Sequence, residues 1–225
     1  ANALKRSFDN KNGGFGNAPK FPTPHNLLLL MKYSQAENDI DALRTVETTL
    51  IQMYRGGIFD HVGGGFSRYS TDEKWLVPHF EKMLYDNALL IVAYTEAFRI
   101  TGNNLYKTVA ERTIGYVLSE LTHDNGGFFC GQDADSDGIE GKYYVFSPDE
   151  IKSVLGETDG EFFCKHFNIT EIGNFEGKSI PNLLKNENFE QADNHIDKFC
   201  KKLYDYRINR TKLHKDDKIL VSWNA

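Results

Sequence analysis

A loop signature recurs in this chain between pairs of helix-forming segments, and it limits the fold more than any other feature. Asn12-Gly13-Gly14-Phe15-Gly16, Gly63-Gly64-Gly65-Phe66 and Asn125-Gly126-Gly127-Phe128-Phe129 follow one another at intervals of about 50 and about 62 residues. Paired glycines permit positive φ and a tight turn, and the aromatic beside them plugs a core edge. Between the loops lie apolar segments with helical spacing. Thr23-Pro24 reads as an N-cap followed by a first-turn proline, opening a helix to Glu37. The next helix runs from Ile40 to Arg55, places Leu43, Val46, Leu50 and Met53 on one face, and stops at Gly56-Gly57. So short a link makes the two an antiparallel hairpin. A second pair, Phe80–Thr101 and Asn104–Leu121, is joined through Gly102-Asn103. A less regular third group comprises Pro148–Leu155, Asp159–Phe167 and Phe189–Arg207. If partners are joined by short links, all the long loops lie at one end of the bundle, and that end is the candidate functional face. The stretches Phe66–Val77 and Phe128–Phe146 are expected to form small β-hairpins there.

Composition narrows the function classes. With 225 residues, 40% hydrophobic and 13% aromatic, the chain can bury one ordinary core, read as a single domain over residues 1–225. The net charge of -6 comes from mixed-sign residues with no basic block, which sets nucleic acid aside. The longest aliphatic run, Leu27 to Met31, is far too short for a membrane span, and the polar start lacks a signal-peptide pattern, so a cytoplasmic protein with no membrane partner is expected. Cys130, Cys164 and Cys200 form no CxxC pair and read as reduced structural thiols.

The densest chemical constellation runs from Asp60 and His61 through Arg68, Tyr69, Asp72 and Trp75 to His79, Glu81, Tyr85 and Asp86. On the expected helix, His79 and Glu81 stand at its N-terminal end facing the loops, with Tyr85 one turn beyond. Groups held there act as acid, base or sugar anchor; the structural alternative pairs Glu81 with Tyr85 and Lys82 with Asp86 along the helix. Glycosidases use two carboxylates, whereas epimerisation moves a proton beside a carbonyl with a histidine or carboxylate, and spacing in sequence does not choose between them. Asp133-Ala134-Asp135-Ser136-Asp137-Gly138 matches the first half of a calcium loop, but its twelfth position is Tyr144, so it reads as an acidic loop with Asp135, Asp137 and Glu140 either solvated or available to sugar hydroxyls. His79-Phe80-Glu81 lacks the P-C-x-x-C of a zinc deaminase, the glycine triplet lacks the Gly-Lys-Ser/Thr of a phosphate loop, and no G-x-S-x-G elbow occurs. No cofactor or metal is assigned.

Taken in order, GGFGNAPKFP (Gly13–Pro22), GGIFDHVGGGFSRYSTDEKWLVPHFEKMLYDNA (Gly56–Ala88), DADSDGIEGKYYVF (Asp133–Phe146) and DDKILVSWNA (Asp216–Ala225) resemble the spermatogenesis-associated protein 20 family, with its bacterial YyaL-type thioredoxin-domain members. The resemblance implies an all-α fold, a partial (α/α)6 toroid of the six-hairpin glycosidase and N-acylglucosamine 2-epimerase kind. It also implies a thioredoxin-like domain in cis preceding this chain, and makes residues 1–225 themselves the N-terminal half of the ring. On that basis the parent is expected to hydrolyse or isomerise a sugar or glycoside, the fragment alone being inactive. His61, His79, Glu81, Asp135 and Glu140 are the catalytic candidates, and Asp60, Arg68, Tyr69, Trp75, Tyr85, Asp133 and Trp223 are the substrate-binding ones. Two alternatives stand beside this reading: a non-catalytic scaffold docking the thioredoxin-like domain or a protein partner, and a metal site built on His61, His79 and nearby acids.

Overall fold

A computed structural model describes residues 1–190 and 194–225. After a short helix α1 (Asn2–Ser7), helices α2 (Pro24–Glu37) and α3 (Ile40–Arg55) form the first hairpin. Asn38 makes the link by entering the left-handed region at φ 54°, and the Asp39 side chain accepts from the Ala42 N–H to start α3. The buried seam of α3 is Ala42, Val46, Leu50 and Met53, with Leu43 only half-buried. Helices α4 (Leu84–Thr101) and α5 (Asn104–Tyr116) repeat the arrangement across Gly102 and an Asn103 cap. A π-helical turn, Val117–Leu121, carries α5 to the length expected for it. Helix α4 packs on both α5 and α2, so the hairpins stand side by side. The third group is α6 (Pro148–Leu155), α7 (Glu157–His166) and α8 (Asn194–Arg210), with α6 against both others. Residues 191–193 of the helix expected from Phe189 lie outside the described residues. A final turn, α9, spans Val221–Asn224.

Two expectations need correction. Thr23 does not cap α2: its φ is 41°, its side chain makes no cap bond, and its hydroxyl is buried without a partner. The second hairpin's first helix begins at Leu84, not Phe80, because the preceding residues are drawn into strands. Antiparallel β1 (Tyr69–Ser70) and β2 (Pro78–His79) pair Tyr69 with His79, while β3 (Lys82–Met83) joins β4 (Gly131–Gln132). Backbone partners from other loops thus override the helical propensity of this segment. Strand β4 also accepts β7 (Lys215–Asp216), and β5 (Asp135–Ser136) turns back as β6 (Ile139–Glu140) through Asp137-Gly138, both at positive φ, as a two-residue hairpin turn demands.

The glycine loops are one backbone device used again. Isolated bridges close Phe8 to Phe15, Phe59 to Phe66 and Thr122 to Phe128. In the first two, the Asp that follows the leading Phe donates its N–H to the second glycine of the pair, Asp9 to Gly14 and Asp60 to Gly65. A buried lysine then locks each loop. Lys20 Nζ donates to Asp9 Oδ2 (2.6 Å) and the Gly13 carbonyl (2.8 Å); Lys82 Nζ donates to Asp60 Oδ2 (2.8 Å) and the Gly64 carbonyl (2.7 Å). Each ammonium also faces an aromatic ring, Trp75 for Lys20 and Tyr116 for Lys82. Gly65 cannot be replaced cheaply: φ is +78°, and a Cβ would stand 2.4 Å from the Tyr116 ring. Gly65→Ala should therefore lower stability by about 2 kcal/mol or more, read by urea unfolding. A loss under about half a kcal/mol would mean that the loop relaxes freely.

Candidate functional site

The constellation read in the sequence divides into a buried half and an exposed half. Asp60 is locked by a bidentate bond from Arg207 (3.0 and 2.6 Å) and by Lys82, its side chain only 6% exposed. Burial by itself would raise the Asp60 pKa, but the Arg207 and Lys82 charges outweigh it and hold the carboxyl far below the usual range. Lys82 is pushed down to about 8, chiefly by burial, with Asp60 opposing the fall. His61 is 1% exposed, its Nε2 donates to the Gly56 carbonyl at 3.1 Å, and burial together with the Arg112 charge lowers it to about 3. Trp75 is 0% exposed and donates from Nε1 to the Asn12 carbonyl. Asp60, His61 and Trp75 are therefore corrected from site residues to core: none has a free face for a ligand. The pairing of Lys82 with Asp86 expected along a helix also gives way, since Lys82 lies in β3 and points to Asp60.

The exposed half assembles on the β1–β2 and β5–β6 hairpins. His79 stacks on Tyr69 (5.1 Å, 24°), which stacks on Phe21 (4.9 Å, 29°). His79 Nδ1 lies 2.9 Å from Glu140 Oε1, and its Nε2 is 3.8 Å from Glu81 Oε2. Arg68 Nη1 donates to the same Glu81 oxygen at 3.1 Å. A half-exposed imidazole between two carboxylates, one of them held by a guanidinium, is a group able to take and return a proton. Glu81 also lines a polar cleft of about 310 Å³ with Gln132, Asp133, His214, Asp216 and Lys218. The cleft exists because β3, β4 and β7 meet side by side.

Asp135 is exposed and sits opposite Glu140 in the β5–β6 register, next to this group. Tyr85 and Trp223 meet each other edge to face at 4.8 Å, a contact that covers one face of one of the two rings. Sequence reasoning missed His214, Asp216 and Lys218 as cleft residues, and offered Asp86 only as a helix partner for Lys82. Asp216 and Lys218 lie in the DDKILVSWNA stretch, but only the pairing of β7 with β4 brings them to Glu81. Asp86 is raised to about 7 by burial, with Arg68 and Tyr85 opposing and Glu81 reinforcing. Its unfolded form ionises near 3.8, so this group's effect on stability worsens as pH climbs from there through about 7. Among the described residues no group of three or more His, Cys, Asp or Glu could hold a metal ion, no described helix is long and apolar enough to cross a membrane, and all three cysteines are free and buried.

No family model matches the chain. Mouse spermatogenesis-associated protein 20 is 38% identical to it over 99% of the chain. The chain belongs to the spermatogenesis-associated protein 20 family. It spans 33% of that relative's length, about a third of the family protein. In fold, the family segment is similar to a sugar epimerase from a ruminal bacterium (TM-score 0.53, 16% identity, 68% of this chain and 44% of that one). It is also similar to cellobiose 2-epimerase from Bacillus thermoamylovorans (TM-score 0.52, 13% identity, 96% and 72%). The architecture of the family segment is accordingly a partial (α/α)6 toroid of helical hairpins with small sheets in its loops.

Proposed function

We propose that this segment contributes the sugar-handling face of a cytoplasmic carbohydrate enzyme acting by proton transfer, with isomerisation or epimerisation favoured over hydrolysis. The observation that carries the reading is Glu81, which lines the cleft and also touches Arg68 and His79. Glu81, His79 and Glu140 form the acid/base set, and Asp133 offers acceptors to hydroxyls. The two fold neighbours are sugar epimerases by name, which supports the substrate class by analogy of fold. In the same reading the chain is about half of the ring, and the longer family proteins carry the remainder together with a thioredoxin-like domain.

Charge narrows the substrate. Lys218 Nζ is 3.0 Å from Asp216 Oδ2 and Arg68 Nη1 is 3.1 Å from Glu81 Oε2, so each cation offsets its partner and Asp133 leaves the cleft net negative. Neutral or amino sugars are expected to bind, and uronates or sugar phosphates to be rejected. Calorimetry against neutral, amino and anionic mono- and disaccharides tests this. Asp133→Asn should weaken binding about tenfold, and Glu81→Gln should leave binding but slow turnover roughly 100-fold. No binding by any sugar, or selective binding of the anionic ones, overturns the reading. A scaffold that docks the thioredoxin-like domain is the second reading, favoured by the burial of Asp60, His61 and Trp75; it expects no small ligand in the cleft.

A further inference from the structure

Asp86 lies in the first turn of α4, directly after Tyr85, where a carboxylate would ordinarily be welcome to the helix dipole. Instead its Oδ2 is buried with no hydrogen-bond partner. The charged and titratable groups acting on it come from the adjoining elements: Arg68 from the bend just before β1, Glu81 from the segment between β2 and β3, and Tyr85 from α4 itself. Behind Glu81 stand His79 and Glu140. Arg68 is bonded to Glu81, yet its charge also falls on Tyr85 and on Asp86. The guanidinium is thus bonded to one carboxyl, Glu81, while its charge also favours the ionised form of a second, Asp86, which has an oxygen left without a bond.

We propose that Asp86 is a positioning residue of the sugar site, competing with Glu81 for Arg68, and that the proton on Asp86 decides which carboxyl holds the guanidinium. With Asp86 protonated, Arg68 is committed to Glu81 and fixes its carboxylate at the edge of the cleft. With Asp86 ionised, Arg68 is divided, and Glu81 is freer to accept a proton or hydroxyl from a ligand. The switch falls near neutrality because burial raises Asp86 to about 7. The effect on catalysis rests on the sugar reading, whereas the competition for Arg68 does not.

The test is carboxyl-detected NMR titration of Asp86, together with the pH dependence of sugar affinity. Asp86 should titrate near neutrality, shift downward in Glu81→Gln because a like charge is lost, and shift upward in Arg68→Met because an opposite charge is lost. A change in affinity of up to about tenfold per pH unit around neutrality should collapse below about twofold in Asp86→Asn and return in Asp86→Glu. An Asp86 that titrates in the ordinary aspartate range, or an Asp86→Asn protein with the wild-type pH profile, overturns the proposal. Neutral titration with the expected response to Glu81→Gln, but without binding of any sugar, supports the competition and overturns the sugar reading alone.

Discussion

Asp60→Asn is expected to destabilise the fold by about 3–5 kcal/mol at neutral pH, the range for a buried ion cluster that loses one member. The substitution keeps the shape but removes the negative charge bonded to both Lys82 and Arg207, which are 1% and 2% exposed. Lys82 could respond by shedding its proton, since burial already holds it down to about 8. Arg207 cannot, and its guanidinium would be left against the rings of Tyr143 and Tyr204 without a counter-charge. The loss reaches beyond one loop because Asp60 also accepts the N–H groups of Val62 and Gly63, and because Arg207 is the tie from α8 back to the second glycine loop. Exposed pairs such as Arg99 with Glu96 should give a change below about 1 kcal/mol and serve as the contrast. Urea unfolding measures both. If Asp60→Asn costs no more than the exposed pair, the cluster is not holding the loops to α8. Replacing Asp60, Lys82 and Arg207 together with apolar residues of similar volume should recover much of the loss, because the desolvation of three ions disappears along with their attraction.

Trp75→Ala should cost about 3–5 kcal/mol, the usual range for deleting a large buried aromatic. Its indole fills the space beside the first glycine loop, lies under Lys20 at 5.7 Å, and ties that loop through the bond from Nε1 to the Asn12 carbonyl. Its backbone is equally engaged, with φ at 65° and a carbonyl that accepts from the Ile58 N–H. The neighbouring chain leaves no slack for collapse: a Cβ on Gly56 would be 2.2 Å from that same carbonyl oxygen. Trp75→Phe keeps most of the volume and should lose about 1–2 kcal/mol, with the Asn12 carbonyl deprived of its donor. Sugar affinity of Trp75→Phe should match wild type. A selective loss of affinity without loss of stability would return Trp75 to the role of a stacking platform.

The helices of this protein are local decisions, and the sequence shows them. Val46, Leu50 and Met53 share a face by spacing alone, although the same spacing offered Leu43 where the fold buries Ala42, and Gly102 and Asn103 mark a link because few other residues suit a left-handed turn and a cap. The glycine loops were visible for the same reason, since positive φ selects glycine residue by residue. The lysines that lock them were not, because Lys20 is 11 residues from Asp9 and Lys82 is 22 from Asp60.

Which polar residues face water is another matter. Asp60 meets Arg207 across 147 positions and His79 meets Glu140 across 61, so the same type of pairing becomes a buried clamp in one place and an open acid/base group in the other. The onset of α4 was misread for a related reason: β3 found β4, and backbone bonds from a distant loop outweighed a helical pattern worth a few tenths of a kcal/mol per residue. The sequence by itself determined the repeating hairpins, the turns and the family. Only the tertiary structure decided that Asp60, His61 and Trp75 belong to the core and that Glu81 lines the cleft, because burial and charge balance depend on what distant segments bring together.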